Sequence, residues 1–143
     1  MPSTVKNSEV ERVLRDLLKS EGYTLSHLRG YGETGVDIIA RREGESWHIE
    51  CIGYKSSGPA RAKDFYESFF RVVSRLNDGA KHLVIALAKQ AEVGLPARAK
   101  QHKIAWERIA VAFPELEIWF VDTDEKSYFR RTWAEWTTPE AGA

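Results

Sequence analysis

The sequence predicts an α/β protein built on a mixed central sheet with helices on its faces, and three observations carry that expectation. Apolar residues near the N-terminus (Val10, Val13, Leu14, Leu17, Leu18) recur at helical spacing. Two short apolar runs, 35–40 and 47–54, are joined by a polar link and read as a β-hairpin. The run 82–88 is almost wholly apolar, the composition of a strand covered on both faces, commonly a parallel one.

In order, the first helix spans 8–21. Ser8 and Glu11 have capping-box spacing and Gly22 ends the helix. A weakly patterned strand follows over 23–31, closed by Gly30 and Gly32. The hairpin strands occupy roughly 35–42 and 47–54, with 41–46 as the link. Ser56-Ser57-Gly58-Pro59 breaks the chain and starts a second helix, about 59–77. Phe65, Phe69, Val72 and Leu76 share its apolar face. Tyr66, Phe70 and Val73 widen that face beyond one core contact, a width that suits a homodimer. After strand 82–88, Gly94-Leu95-Pro96 opens a third helix to Phe113, with Pro96 in its first turn. Pro114 ends it and 116–121 forms a last strand. Tyr128, Phe129, Trp133 and Trp136 make the tail too aromatic for a disordered linker, so it is expected to pack on the body. An antiparallel meander thus passes through a helical crossover to an added strand, which makes the sheet mixed.

At 143 residues, 1–143 reads as a single domain able to bury a core without staples. A hydrophobic fraction of 43% with 29% charged residues excludes a disordered chain. No apolar run has the length of a membrane span, and the start of the chain lacks a signal-peptide pattern. One cysteine excludes an internal disulfide and a cysteine-rich metal cluster, and a cytoplasmic location is expected. Zero net charge argues against a strongly basic, unspecific nucleic-acid binder. A local basic face remains, because 55–63 carries Lys55, Arg61 and Lys63 and no acid.

Each hairpin strand holds one carboxylate among hydrophobic neighbours: Asp37 on the first and Glu50 on the second. An ionised acid in a strand core is costly unless something pairs with it. Two acids on adjoining strands also repel each other. A divalent cation held between them answers both problems.

These residues resemble the PD-(D/E)XK nuclease superfamily, with most likeness to its Mrr-type restriction endonuclease and Holliday-junction-resolvase-like branches. The resemblance rests on a helix with an early glutamate, then Gly35-Val36-Asp37-Ile38-Ile39-Ala40, then a strand ending Ile49-Glu50-Cys51. It covers about residues 8 to 90 and implies a restriction-endonuclease-like αβββαβ core, with an extra C-terminal helix and strand. It further implies that Asp37 and Glu50 ligate Mg²⁺ or Mn²⁺ together with the backbone carbonyl of Cys51, and that Glu11 holds a metal-bound water. The implied activity is hydrolysis of DNA phosphodiester bonds, in double-stranded or branched DNA.

One position departs from the pattern. The family expects lysine two residues after the second acid, where this chain has Ile52. Lys55 lies five residues past Glu50, roughly 16 Å along an extended strand, and reaches the site only if the chain bends at Gly53. Lys63, near the start of the second helix, is the other candidate. Ser56, Ser57 and Arg61 join Lys55 and Lys63 as expected contacts to nucleic acid.

Competing readings weigh against several of these residues. Glu11 already has a capping role. Cys51 in an apolar strand reads as a small buried hydrophobe rather than a thiol nucleophile. The four histidines lack zinc-ligand spacing, although His48 shares a strand face with Glu50. Lys63, Glu67, Arg71 and Arg75 recur every four residues. Arg71 and Arg75 read as a solvated, ion-paired stripe, and Lys63 as part of a track for a phosphate backbone. At the level of the whole chain, the alternatives are an inert nuclease-fold module that binds nucleic acid or protein, and a domain with no nucleic-acid role.

Overall fold

A computed structural model describes residues 4–27 and 36–136. The first helix, α1 (Asn7–Ser20), buries Val10, Val13, Leu14 and Leu18 on one stripe. Each such side chain removed from water stabilises the fold by roughly 1.5–3 kcal/mol before ordering costs. Lys6, not Ser8, is the N-cap residue, and no side chain caps it, so the expected Ser8–Glu11 capping box does not form. The reason lies upstream: Val5 exchanges backbone hydrogen bonds with Tyr54 at 3.0 and 2.7 Å. The chain is thereby held extended until one residue before the helix. Gly22, at φ +92°, follows the helix end as expected.

Of the weak strand expected over 23–31, β1 (Thr24–Leu25) is present, while 28–35, with Gly30, Gly32 and Gly35, lie outside the described residues. The hairpin consists of β2 (Ile38–Arg42) and β3 (Glu45–Ile52). Its turn is shorter than expected: only Glu43 and Gly44 lie between the strands, both at positive φ. Paired positive φ values match the right-handed strand twist in two-residue hairpins. Then come α2 (Gly58–Val73) and β4 (His82–Ala88). The Ser57 hydroxyl caps α2 by accepting from the Ala60 amide.

The single third helix is instead two, α3 (Leu95–Gln101) and α4 (Lys103–Ala112), separated by His102 at φ −104°, ψ 25°. The break lets Leu95 and Ala99 on one piece and Trp106 on the other all reach the core. β5 (Leu116–Asp122) follows. The tail adds a strand that periodicity missed, β6 (Ser127–Thr132), with no fully buried residue and therefore no apolar alternation to read. Beyond it Trp106 and Trp133 stack at 3.9 Å, and each indole N–H donates to the other's backbone carbonyl.

The six strands lie in sequence order, β1 to β6. β1–β2–β3 are antiparallel, β3–β4–β5 parallel, and β6 antiparallel to β5. The sheet is mixed, as expected. α1 packs on one face, over Ile38, Ile49, Cys51, Val84 and Trp119. α2, α3 and α4 pack on the other, over Ile52, Leu83, Ile85, Ile118 and Phe120. Among the described residues no helix is long and apolar enough to cross a membrane.

Candidate active site

Strand parity decides the site. Trp47, Ile49 and Cys51 of β3 face α1, so His48, Glu50 and Ile52 face α2. Ile38 pairs with Ile49 in the antiparallel register; one step further along, Asp37 stands opposite Glu50. Both acids line one cleft of about 100 Å³, where Glu11, Asp64, Glu67 and Arg71 also open. That is room for a small ion and a few waters.

The Asp37 Oδ2 accepts the Cys51 N–H at 2.8 Å, which ties the first acid to the strand carrying the second. Arg15, on α1, steadies the same segment. Its guanidinium donates to the backbone carbonyls of Ser26 (2.6 Å) and Asp37 (2.8 Å) and binds Glu11 at 2.8 Å. Nothing in local sequence pattern marks Arg15, since a helix arginine four residues after a glutamate usually makes only an i,i+4 pair.

Glu50 is 2% exposed, and the Arg71 guanidinium donates to its Oε2 at 2.9 Å. That hydrogen bond is the main cause that raises the Arg71 pKa, so its charge is held firmly. Arg71 also reaches Glu67 at 3.6 Å, and Glu67 meets Lys63 at 3.6 Å. Lys63, Glu67 and Arg71 on α2 thus form an ion-paired stripe whose Arg71 end dips into the cleft, while Arg75, past the end of the helix, pairs with Asp78 at 2.7 Å.

The two candidate lysines stand elsewhere. Lys63 is 76% exposed and does not line the cleft. Lys55 binds Asp64 at 3.0 Å, which places it at the cleft rim rather than inside. Position 53 takes a glycine because the segment leading into α1 approaches so closely: a Cβ there would sit 2.0 Å from the Val5 carbonyl oxygen. The Gly53 N–H donates to Asn7 Oδ1 at 2.7 Å. Ile52, in the expected lysine place, is 4% exposed and belongs to the core beneath α2.

Lys55, Ser56 and Ser57 open onto an adjoining groove of about 670 Å³, shared with Lys6 and Ser8 at the start of α1. Arg61 faces a different pocket, stacked on the Tyr54 ring at 4.6 Å. Burial above all, then the nearby carboxylates of Asp37, Glu11 and Glu50, pushes the Cys51 thiol pKa well up, so the sulfur stays protonated. His48 is buried but does not line the cleft.

Among the described residues no three histidine, cysteine, aspartate or glutamate side chains converge as a ready ligand set. The two facing carboxylates still fit Mg²⁺ or Mn²⁺ in kind. They are hard oxygen donors on one small cleft, and Mg²⁺ keeps several waters and takes one or two protein carboxylates.

The Mrr_cat family model, described as a restriction endonuclease, matches residues 3–89, more than half of the chain. The crossover junction endodeoxyribonuclease Hjc of Methanocaldococcus jannaschii is 46% identical over 46 residues, 32% of this chain and 33% of that protein. The match thus spans about a third of that relative's length. No solved structure matches the chain at a significant level. With its mixed sheet and flanking helices, the chain belongs to the Mrr-type restriction endonuclease family of the PD-(D/E)XK nuclease superfamily.

Proposed function

We propose that this protein is a divalent-metal-dependent endonuclease acting on double-stranded or branched DNA. The observation that carries the reading is the shared cleft of Asp37 and Glu50, with the Lys6–Lys55–Ser56–Ser57 groove beside it. Asp37, Glu50 and the Cys51 carbonyl would hold Mg²⁺ or Mn²⁺. Such an ion polarises a phosphate oxygen and lowers the pKa of attacking water. Glu11, held by Arg15 at 2.8 Å, would accept a hydrogen bond from the attacking water and orient it. Arg71 supplies the positive charge that Ile52 cannot, since its guanidinium lies against Glu50. Lys55 at the rim and the hydroxyls of Ser56 and Ser57 meet the phosphate backbone, with Lys63 further out along α2. Tyr66 and Phe70, 42% and 71% exposed on α2, support a contact with a second copy, which sedimentation equilibrium would detect.

One observation favours a second reading, an inert DNA-binding module: neither Lys55 nor Lys63 lines the cleft, and Arg71 already occupies one Glu50 oxygen. The deciding experiment incubates the protein with plasmid, linear and four-way-junction DNA and Mn²⁺, beside Asp37→Ala and Ile52→Lys variants. Cutting is expected, abolished in Asp37→Ala and increased in Ile52→Lys. Cutting unchanged in Asp37→Ala would overturn the site. DNA binding that weakens steeply with salt, without any cutting, would favour the inert module.

A further inference from the structure

A second pocket, of about 130 Å³, opens behind Ile52, the residue it shares with the acidic cleft. It sits past the ends of the parallel strands β3 and β4, bounded by Ile52 and Leu87, and is roofed by the segment running into α3.

Its charge is the opposite of the cleft's. Arg61 from α2 and Arg98 from α3 line it, and no carboxylate does. Both are only partly exposed, and among the described residues neither makes a salt bridge. Arg61 donates to the Lys55 carbonyl at 2.7 Å and lies over the Tyr54 ring. Arg98 donates to the Tyr66 hydroxyl at 3.0 Å and lies 5.4 Å from the centre of the Phe65 ring. The aromatic rings and these bonds hold each guanidinium in place. Most of the five N–H donors on each remain for a ligand. Two like charges that line one pocket without an acid favour an anion between them, and guanidinium forks match phosphate oxygens two at a time.

We propose that this pocket is a phosphate subsite that takes a backbone phosphate of the nucleic acid, neighbouring the one presented to Asp37 and Glu50. Which phosphate it takes rests on the nuclease reading; that it takes phosphate does not. Arg98 is thereby a binding residue contributed by a helix outside the αβββαβ core.

The test is a metal-free titration followed by NMR, with three probes: the phosphodiester TpT, inorganic phosphate, and thymidine as the uncharged control. TpT and inorganic phosphate should shift the Ala91 and Leu95 amides and the Arg61 and Arg98 Nε–H signals, saturating in the millimolar range or below, while thymidine leaves them unmoved. Arg98→Gln and Arg61→Gln should each weaken TpT about tenfold. Arg98→Lys should recover part of the loss, with spectra elsewhere unchanged to certify the fold. Absence of saturable shifts, equal binding in Arg98→Gln, or equal binding of thymidine would overturn the subsite. Inorganic phosphate binding more tightly than TpT would overturn the nucleic-acid assignment. Because the titration contains no metal and reads no cleavage, its failure leaves the endonuclease reading standing, and the converse holds.

Discussion

Replacing Arg71 by alanine takes away the guanidinium bonded to the buried Glu50 carboxylate. Breaking a fully buried ion pair by removing one partner costs about 3–5 kcal/mol, whereas an exposed pair contributes about 0–1 kcal/mol. Here Glu50 is 2% exposed and Arg71 is 53% exposed, so water screens one side and the loss should be about 2 kcal/mol. The five tryptophans provide a fluorescence signal for urea unfolding. With a urea slope of about 1–3 kcal/mol per molar, the midpoint should fall by about 1 M in metal-free buffer. A second arm adds Mn²⁺. An ion binding only the native state adds about 2.7 kcal/mol at a hundredfold excess over its dissociation constant. If the guanidinium and the metal compete for Glu50, Mn²⁺ should stabilise Arg71→Ala more than the parent protein. An unchanged metal-free midpoint would refute the ion pair's structural role, and an equal Mn²⁺ gain in both proteins would refute the competition.

Gly53→Ala should cost about 1–3 kcal/mol through overpacking, because the added carbon would meet the Val5 oxygen at 2.0 Å and the Lys6 carbonyl carbon at 2.7 Å. An unchanged melting temperature would mean that the strap before α1 yields freely. Burial, followed by the charges of Arg41 and Arg75 and opposed by Asp78, lowers the His48 pKa. The native state therefore binds a proton less readily than the unfolded chain. The contribution of His48 to stability is complete above about pH 6.5 and is lost as pH falls through its lower native pKa. Denaturation at pH 7 and pH 5 should show a smaller pH dependence in His48→Gln, and identical slopes would contradict this. The Tyr128 pKa is raised to about 12, first by burial and then by its bond to Glu21. Spectrophotometric titration should find a component, lost in Tyr128→Phe, that ionises about two units above a free tyrosine, with stability lost between about pH 10 and 12. A single transition near pH 10 would refute it.

Helix α1, the nearly all-apolar strand β4 and the hairpin strands could be read from the chain because their partners cover them uniformly: one buried stripe on α1, two buried faces on β4 and on the inner part of β3, and a partly alternating pattern on β2. The same local rule singles out Asp37 and Glu50 as acids with apolar neighbours. Elements without such uniform cover left little trace. β6 is half-covered at the sheet edge, and the bend at His102 follows from where Leu95 and Trp106 must reach. The capping box at Ser8 was legible and yet unformed, because the Val5–Tyr54 pairing lies 49 residues apart in sequence.

The sequence by itself determined the mixed α/β class and the two acids, since burial periodicity and the cost of an apolar-flanked carboxylate are local quantities. Only the tertiary structure decided which cation meets Glu50, that Arg15 steadies the Asp37 segment, and that Arg61 and Arg98 share a pocket. Those depend on how α1, α2 and α3 are turned against the sheet, and that orientation is set by contacts between segments far apart in the chain.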